Sequence, residues 1–350
     1  MIIDLRSDTV TKPTPAMLQA MMAASVGDDV YEEDPTVNLL EQKTATLFGM
    51  EAGLFCPSGT MTNQIAIKLL TQPGDEVICD RLSHIYNYEG GGIAFNSGCS
   101  VRLLNGDRGR ITARQVKENI NEDNIHFPRT SLVSLENTVN KGGGCFYSTR
   151  QIADIAKVCE NHELALHLDG ARVFNTFAVT QENPAVYGQY FDTISVCLSK
   201  GLGAPVGSVL VGKKSDIRKA KRIRKVLGGG WRQAGFLAAA GIYALDHHVT
   251  RLAEDHLRAA ELALVAAQLP YTAEVFPQET NIVIFSVNEQ TDPKQLIQFL
   301  AERNIKVSSF GGQHIRMVTH LDFDDWMLEK TIAALQEFTP AKVKKAGVTG

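Results

Sequence analysis

The feature that most constrains the fold is an alternation of short apolar runs with helical stretches over the first 250 residues. Five runs have the composition and length of buried strands: residues 74–79, 131–135, 164–168, 193–198 and 206–211. Residues 112–122 and 149–162 between them have apolar side chains at helical spacing, and Ser148 or Thr149 could cap the second of these helices. The alternation predicts an α/β domain with a mainly parallel sheet.

The pattern changes after a basic stretch at residues 213–232. A long helical pattern covers residues 233–269 and stops at Pro270, and the remainder predicts two strands and two helices, at residues 281–287, 293–303, 314–318 and 327–338. Because 350 residues are about twice the usual size of one domain, we expect two domains. We place a large domain at residues 1–245, a smaller C-terminal α+β domain at 246–338 and a tail at 339–350.

Charge and hydropathy exclude several classes of protein. The formal net charge of −4 argues against general affinity for nucleic acid or anionic membranes, and the basic run 213–225 lacks aromatic residues, which favours a solvated helix face. The most apolar uncharged stretch, residues 233–245, is shorter than the roughly 20 residues that span a bilayer. The charged residues Asp4, Arg6 and Asp8 leave no room for a signal-peptide core at the first residues.

The cysteines indicate neither disulfides nor a metal. Six are scattered without a CxxC pair, at positions 56, 79, 99, 145, 159 and 197. We expect reduced, mostly buried thiols of a cytoplasmic protein and no zinc site.

A small-residue segment before a helical pattern could bind a phosphate. Residues 57–63 contain Ser58, Gly59 and Thr60, whose small side chains let backbone N–H groups approach an anion at the positive end of a helix. An ordinary helix cap explains the same residues, so this segment leaves both readings open.

Two further residues stand at the ends of predicted strands. Asp169 follows the run 164–168, and Lys200 follows the run 193–198 and precedes a glycine-rich turn. Each alone is commonly a solvated loop residue. Ligands of α/β folds, however, bind at the carboxyl ends of strands. Together the three features match the groups of pyridoxal phosphate. The start of the helix could bind the phosphate, the aspartate at one strand end could bind the ring nitrogen, and the lysine at the other could bind the aldehyde carbon.

These residues lie within segments that strongly resemble the L-threonine aldolases. The matching segments are DLRSDTVTKPT at residues 4–14, VYEEDP at 30–35, CPSGT at 56–60, LDGAR at 168–172 and SKGLGAP at 199–205. The resemblance extends to about Phe338 and places the chain in the β-eliminating lyase/threonine aldolase superfamily. It implies a fold-type-I, aminotransferase-like architecture with a mainly parallel seven-stranded sheet in the large domain.

The resemblance also implies roles in holding the cofactor. Lys200 is expected to bond covalently to pyridoxal phosphate, and Asp169 to hold the pyridinium proton. Gly59 and Thr60, next to Ser58, are expected to bind the phosphate. His84 resembles the histidine that stacks on the cofactor ring.

Residues that bind substrate and move protons follow from the same resemblance. Arg172, Arg316 and Ser7 are similar to the groups that bind the substrate carboxylate, and Arg172 is also placed beside the cofactor. His84 is the candidate base for the β-hydroxyl proton, and His126 is expected to assist it.

The family is typically homotetrameric, with active sites at a dimer interface. We therefore expect Arg232 to bind the phosphate in the partner subunit's site and Tyr31 to cross the interface. The expected reaction is retro-aldol cleavage of L-threonine or L-allo-threonine to glycine and acetaldehyde, with the preferred diastereomer and the physiological direction left open. Two alternatives remain: β-elimination or racemisation on the same scaffold, or a binding protein without catalysis.

Overall fold

The structure, a computed structural model, describes residues 1–340. The strands there are β1 Ile3–Asp4, β2 Ala52–Cys56, β3 Glu76–Asp80, β4 Ser100–Leu104, β5 Thr130–Glu136, β6 Ala165–Gly170, β7 Thr193–Cys197, β8 Ser208–Gly212, β9 Thr272–Val275, β10 Ile282–Val287, β11 Ile305–Lys306, β12 Ser308–Ser309 and β13 His314–Val318. The helices are α1 Pro15–Met22, α2 Pro35–Leu47, α3 Gly59–Leu70, α4 His84–Asn87, α5 Ala113–Glu118, α6 Thr149–Asn161, α7 Val173–Thr180, α8 Lys214–Val226, α9 Gly235–His247, α10 Leu252–Gln268, α11 Pro293–Glu302 and α12 Asp325–Glu337.

The chain divides into two compact units, and their bounds differ from the sequence-based domains. One unit is Lys12–Thr250, and the other combines Met1–Thr11 with the residues from Arg251 onward. The start of the chain was predicted within the large domain and instead belongs to the C-terminal unit. Most of the predicted tail, residues 341–350, lies outside the described residues.

The larger unit contains a seven-stranded sheet in the order β4-β3-β5-β6-β7-β8-β2. Strands β3 to β7 pair in parallel, and β8 is antiparallel to both β7 and β2. The predicted mainly parallel sheet is confirmed. Every residue of β5, β7 and β8 is buried, as expected for strands covered on both faces, and the five predicted strand runs correspond to β3 and β5–β8.

Helix α3 packs on this sheet and begins beside its carboxyl edge. Apolar residues of α3, including Ile65 and Ala66, share a core cluster with Leu54 of β2, Leu210 of β8 and Ile217 of α8. The Ser58 side chain caps the helix by accepting a hydrogen bond from the Met61 N–H.

The prediction of a single helix at residues 233–269 is wrong, because the helix ends at His247 and a second one, α10, begins at Leu252. At the end of α9, His248 turns inward and is buried, and its Nδ1 lies 2.7 Å from the Leu202 carbonyl oxygen, to which it donates. The β-branched residues Val249 and Thr250 follow directly, and such residues are weak helix formers. The apolar periodicity on both sides of the break concealed it.

The C-terminal unit contains an antiparallel sheet in the order β12-β13-β10-β9 and a separate parallel pair, β1 with β11. Ile3 lies opposite Ile305, the Val318 N–H donates to the Leu5 carbonyl, and the Leu5 side chain is fully buried. These contacts explain why the first residues belong to this unit. Within residues 1–340, no helix combines the length and apolar character needed to cross a membrane.

All six cysteines are free thiols and buried, as predicted. Burial raises the pKa of the Cys79 and Cys159 thiols to about 12, so both remain protonated at neutral pH.

Candidate functional site

Three strand ends of the larger unit bring polar residues together at the carboxyl edge of the sheet. Asp169 near the end of β6 lies opposite Glu136 of β5 and Ser195 of β7. Lys200 follows β7 by three residues. This edge is where parallel α/β sheets bind their ligands, so the predicted positions of Asp169 and Lys200 in the fold agree with the structure.

The Asp169 carboxylate is buried and held by two donors. Its Oδ1 accepts from the Ala171 N–H at 3.1 Å, and its Oδ2 accepts from Asn63 Nδ2 at 2.9 Å. A buried, oriented carboxylate of this kind can bind the N–H of a cationic heterocycle.

Lys200 lies in a tight turn fixed by backbone hydrogen bonds. The Gly203 N–H donates to the Lys200 carbonyl, and the Leu198 N–H donates to the Gly207 carbonyl. At Gly207, φ is +112° and an added Cβ would lie 2.5 Å from the Phe55 ring, so only glycine fits. Within residues 1–340, the half-buried Lys200 side chain has neither an ion-pair nor a hydrogen-bond partner, so its nitrogen is open to react with a ligand.

The start of α3 fits a phosphate. Ser58 Oγ and the Ser58 carbonyl accept the N–H groups of Met61 and Thr62, whereas the N–H groups of Gly59 and Thr60 lie in the first turn, where helical N–H groups have no partner within the helix. A Cβ built at Gly59 would meet no atom within 4 Å. Open space in front of two free donors at a helix N-terminus is suited to an anion.

Helix α3 is tied to the neighbouring strands by hydroxyl groups. Thr62 Oγ1 lies 2.6 Å from Ser195 Oγ of β7 and 3.1 Å from Ser208 Oγ of β8. All three are buried. This contact fixes the start of α3 relative to the strand that leads to Lys200.

His84 begins α4 and is held at two points. Its backbone N–H donates to Glu136 Oε2 at 2.8 Å, and its Nδ1 lies 3.0 Å from Glu89 Oε1. Partial burial lowers the pKa of His84. The hydrogen bond to Glu89 and the negative charges of Asp169 and Glu136 raise this pKa by more than burial lowers it, so the net pKa is above the ordinary value. The side chain is 31% exposed, so a ligand can reach the ring.

Residues that the sequence-based reasoning did not select connect these groups. Asn63 Nδ2 donates to Glu89 Oε1 at 2.8 Å as well as to Asp169, and Asn63 Oδ1 accepts from His167 Nε2 at 3.1 Å. Burial lowers the pKa of His167 to about 4, so it is neutral. A ring nitrogen of His84 and a carboxylate oxygen each of Glu89 and Asp169 lie within 4.8 Å of one another, and Asn63 joins the two carboxylates by hydrogen bonds.

Glu136 is a second buried carboxyl that was not selected. It accepts the N–H groups of His84 and Asn140, and burial together with the charge of Asp169 raises its pKa to about 7. The next residue, Asn137, donates its N–H to the Asp169 carbonyl and accepts the Arg172 N–H. The predicted ligand Arg172 is buried at the start of α7, next to this group.

Arg232 and Tyr31 lie on neighbouring exposed loops. Arg232 donates to Asp28 at 2.9 Å, and the Asp29 N–H donates to the Arg232 carbonyl at 3.0 Å. The Tyr31 side chain is 71% exposed. The structure places both residues at a surface, and their predicted role in a partner subunit's site stays a prediction.

His126 lies on an exposed loop between Ile125 and Phe127, which are exposed as well. In the part of the chain that the structure describes, no hydrogen bond joins it to His84. Its assisting role also stays a prediction.

Ser7 and Arg316 belong to the C-terminal unit, which brings them next to each other. Arg316 Nη2 donates to the Arg6 carbonyl at 3.3 Å, and its guanidinium lies 5.7 Å from the Phe310 ring centre. Ser7 Oγ accepts from the Thr9 N–H. Their role as carboxylate ligands stays a prediction.

A groove of about 690 Å³ lies away from these residues. Side chains of α2, β2 and α8 line it, including Glu41, Gln42, Lys214 and Lys221. It contains none of the predicted site residues.

Residues 4–290 match the model of the β-eliminating lyase family. The chain is 42% identical over 338 residues to the low-specificity L-threonine aldolase of Escherichia coli O157:H7, covering 96% of this chain and 99% of that protein. It is 38% identical to the probable low-specificity L-threonine aldolase 2 of Arabidopsis thaliana, covering 96% of each. The fold is similar to that of the threonine aldolase of Leishmania major, with a TM-score of 0.82 and 20% identity over 95% of this chain and 98% of that one.

Proposed function

The chain belongs to the β-eliminating lyase family, and we propose that it is a threonine aldolase that cleaves L-threonine and L-allo-threonine to glycine and acetaldehyde. The names of its relatives, at 42% and 38% identity over nearly the whole chain, support this reaction. The structural observation that carries the proposal is the placement of Asp169 and Lys200 at the ends of β6 and β7, with the start of α3 tied to β7 through Thr62 and Ser195.

Pyridoxal phosphate is the cofactor that these residues fit. The N–H groups of Gly59 and Thr60 would hold its phosphate, Asp169 its ring nitrogen and Lys200 its aldehyde carbon. When bound, this cofactor supplies an electron sink for the bond that breaks between Cα and Cβ of the substrate.

The protein's own residues supply binding and proton transfer. His84 Nε2 accepts the proton of the substrate β-hydroxyl, and acetaldehyde leaves as the bond breaks. Arg172, buried beside the Asn137 and Asp169 backbone, binds the substrate carboxylate through its planar guanidinium. Burial of Asp169 excludes water from its carboxylate, so solvent does not compete with the ring nitrogen for this acceptor.

The protein is further proposed to act as a cytoplasmic homotetramer without nucleic-acid or membrane partners. The exposed positions of Arg232 and Tyr31 on neighbouring loops support an association through this surface. Arg232 and Tyr31 would then contribute to the site of the partner subunit. Light scattering coupled to size-exclusion chromatography tests this, and a monomer at micromolar concentration would contradict it.

Two measurements test the reaction. Borohydride reduction of the holoenzyme followed by peptide mapping should fix the cofactor on Lys200 and on no other lysine. Steady-state assays with L-threonine and L-allo-threonine should yield acetaldehyde and glycine, and a Lys200→Ala variant should yield neither.

The same assays separate the alternatives. 2-Oxobutanoate and ammonia in place of acetaldehyde and glycine would indicate β-elimination, and inversion at Cα without cleavage would indicate racemisation. A protein that stays colourless after addition of the cofactor would refute the proposal altogether.

A further inference from the structure

We propose that Glu89 is a positioning residue, oriented by Asn63 and Gln64, that fixes the tautomer of His84 and so directs the unprotonated Nε2 toward the substrate. The inference rests on the proposed function, because it assigns to His84 the task of accepting the β-hydroxyl proton. Neither the sequence motifs nor the family resemblance selected Glu89.

The contacts of Glu89 determine which ring nitrogen of His84 carries the proton. The Glu89 side chain is fully buried and accepts from Asn63 Nδ2 at 2.8 Å and from Gln64 Nε2 at 2.6 Å. Its third partner is His84 Nδ1 at 3.0 Å. Because an ionised carboxylate only accepts, Nδ1 must donate, and the neutral ring then has its lone pair on Nε2.

The orientation of Asn63 follows from the two carboxylates in front of it. Glu89 and Asp169 each accept from Asn63 Nδ2, and a carboxylate oxygen needs an N–H donor at this position. The Asn63 amide oxygen therefore faces His167 and accepts from its Nε2, which leaves Nδ1 to accept from the Thr193 hydroxyl.

Because the Glu89 carboxylate only accepts, Gln64 is oriented in the same way. Its Oε1 accepts from Asn96 Nδ2 at 3.1 Å, so its Nε2 faces Glu89. The Glu89 carboxylate therefore meets three N–H donors, and no other acceptor among residues 1–340 bonds to His84 Nδ1. A network in which every member has a defined role holds one geometry and one charge state.

Several charged or polar groups surround His84. Glu89 bonds the ring, Asp169 and Glu136 act on it by their charge, and Tyr88 lies with its ring centre 5.5 Å away. The Lys141 ammonium lies 5.5 Å from the ring centre of Tyr88. Among the described residues, Glu89 is the carboxylate hydrogen-bonded to the imidazole, and its charge stabilises the imidazolium that forms when Nε2 accepts a proton.

A Glu89→Gln variant removes this charge while preserving shape. Gln64 and Asn96 can both rotate their amides by 180°, which lets the new amide donate to Gln64 and still accept from Asn63 and His84. Glu76→Gln is the matched control, because Glu76 is also a buried carboxylate of this unit that accepts from an arginine and an asparagine, Arg102 and Asn121.

The experiment measures the pKa of His84 in the holoenzyme without turnover. Diethyl pyrocarbonate reacts with neutral imidazole, and peptide mass mapping gives the labelling rate of His84 at each pH. In Glu89→Gln the labelling midpoint should fall by about one pH unit or more, and the acid limb of the kcat/KM profile should move by the same amount in the same direction. The plateau kcat should fall as the base weakens, with KM little changed, and Glu76→Gln should match the wild type.

An unchanged labelling midpoint in Glu89→Gln, with the cofactor absorbance and circular dichroism of the wild type, would overturn the inference. A variant that fails to fold is replaced by Glu89→Asp, whose shorter carboxylate loses the ring contact; an unchanged midpoint there would overturn it equally. Failure of the proposed function is a separate result, because it appears as absence of acetaldehyde in the wild type whatever the labelling midpoint.

Discussion

Replacement of Gly59 by alanine should change protein stability and cofactor affinity in opposite directions. The added methyl meets no atom within 4 Å, and Gly59 does not have a positive φ. The substitution therefore introduces neither a clash nor backbone strain, and it reduces the conformational freedom of the unfolded chain. The free energy of unfolding of the cofactor-free protein should rise by about 0.5 kcal/mol.

Cofactor affinity should fall because the methyl occupies the space in front of the N–H groups that are proposed to hold the phosphate. A hydrogen bond to a charged group contributes about 1.5–3 kcal/mol. Loss of one such bond weakens binding roughly 10- to 100-fold, since about 1.4 kcal/mol corresponds to a factor of ten. Pyridoxal lacks the phosphate, so its affinity should be nearly unchanged by the same substitution.

Urea unfolding of the cofactor-free protein gives the stability, and titrations followed by absorbance give the affinities for pyridoxal phosphate and for pyridoxal. Ser148→Ala at the distant cap of α6 serves as the control, because it should lower stability by about 1 kcal/mol and leave both affinities unchanged. Equal weakening of both ligands by Gly59→Ala would refute a phosphate site at the start of α3, and so would no weakening of either.

Three further predictions concern stability. Arg224→Ala should lower the free energy of unfolding by about 3–5 kcal/mol, because Arg224 Nη2 lies 2.9 Å from Asp29 Oδ2 in a buried ion pair and its loss leaves that carboxylate unpaired. In urea unfolding, Arg222→Ala on the exposed face of the same helix should change the free energy of unfolding little. Burial raises the pKa of Glu136 to about 7 from an ordinary value of 4.5, so stability should fall by on the order of 3 kcal/mol as pH rises between these values, and unfolding curves of Glu136→Gln should lack this dependence. Gly170→Ala would place a methyl 2.5 Å from a backbone oxygen of β7 and should lower the melting temperature, with a cost of about 1–3 kcal/mol; an unchanged melting temperature would mean that β6 and β7 separate easily.

The sequence predicts the central sheet well because its strands are buried on both faces. Such strands are continuous apolar runs, and the five runs identified from composition correspond to β3 and β5–β8. Asp169 and Lys200 follow from the same logic, since a polar residue directly after such a run lies at the ligand-binding edge. The ends of these strands could therefore be located without knowledge of any contact.

The unit bounds could not be predicted in this way. Nothing in the local pattern of residues 1–11 indicates that Ile3 pairs with Ile305, about 300 positions later, or that Leu5 is buried with the C-terminal strands. The break between α9 and α10 depends on a hydrogen bond from His248 to the carbonyl of Leu202, in a turn 46 residues earlier. Both features depend on contacts between residues far apart in the sequence, and the local periodicity of apolar residues carries no information about such contacts.

The hydrogen-bond network beside the site was missed for a related reason, and its geometry shows what α3 contributes. Gly59, Thr62 and Asn63 occupy the first two turns of one helix, and each meets a different part of the site. Gly59 faces open space suited to a phosphate, and Thr62 is hydrogen-bonded to Ser195 of β7, the strand that leads to Lys200. Asn63 donates to Asp169 and Glu89. Helical spacing is rigid at 1.5 Å per residue, so the distances between these three contacts cannot vary independently. A cofactor that binds phosphate, ring nitrogen and aldehyde at once requires such fixed distances, and α3 supplies them as a single rigid element.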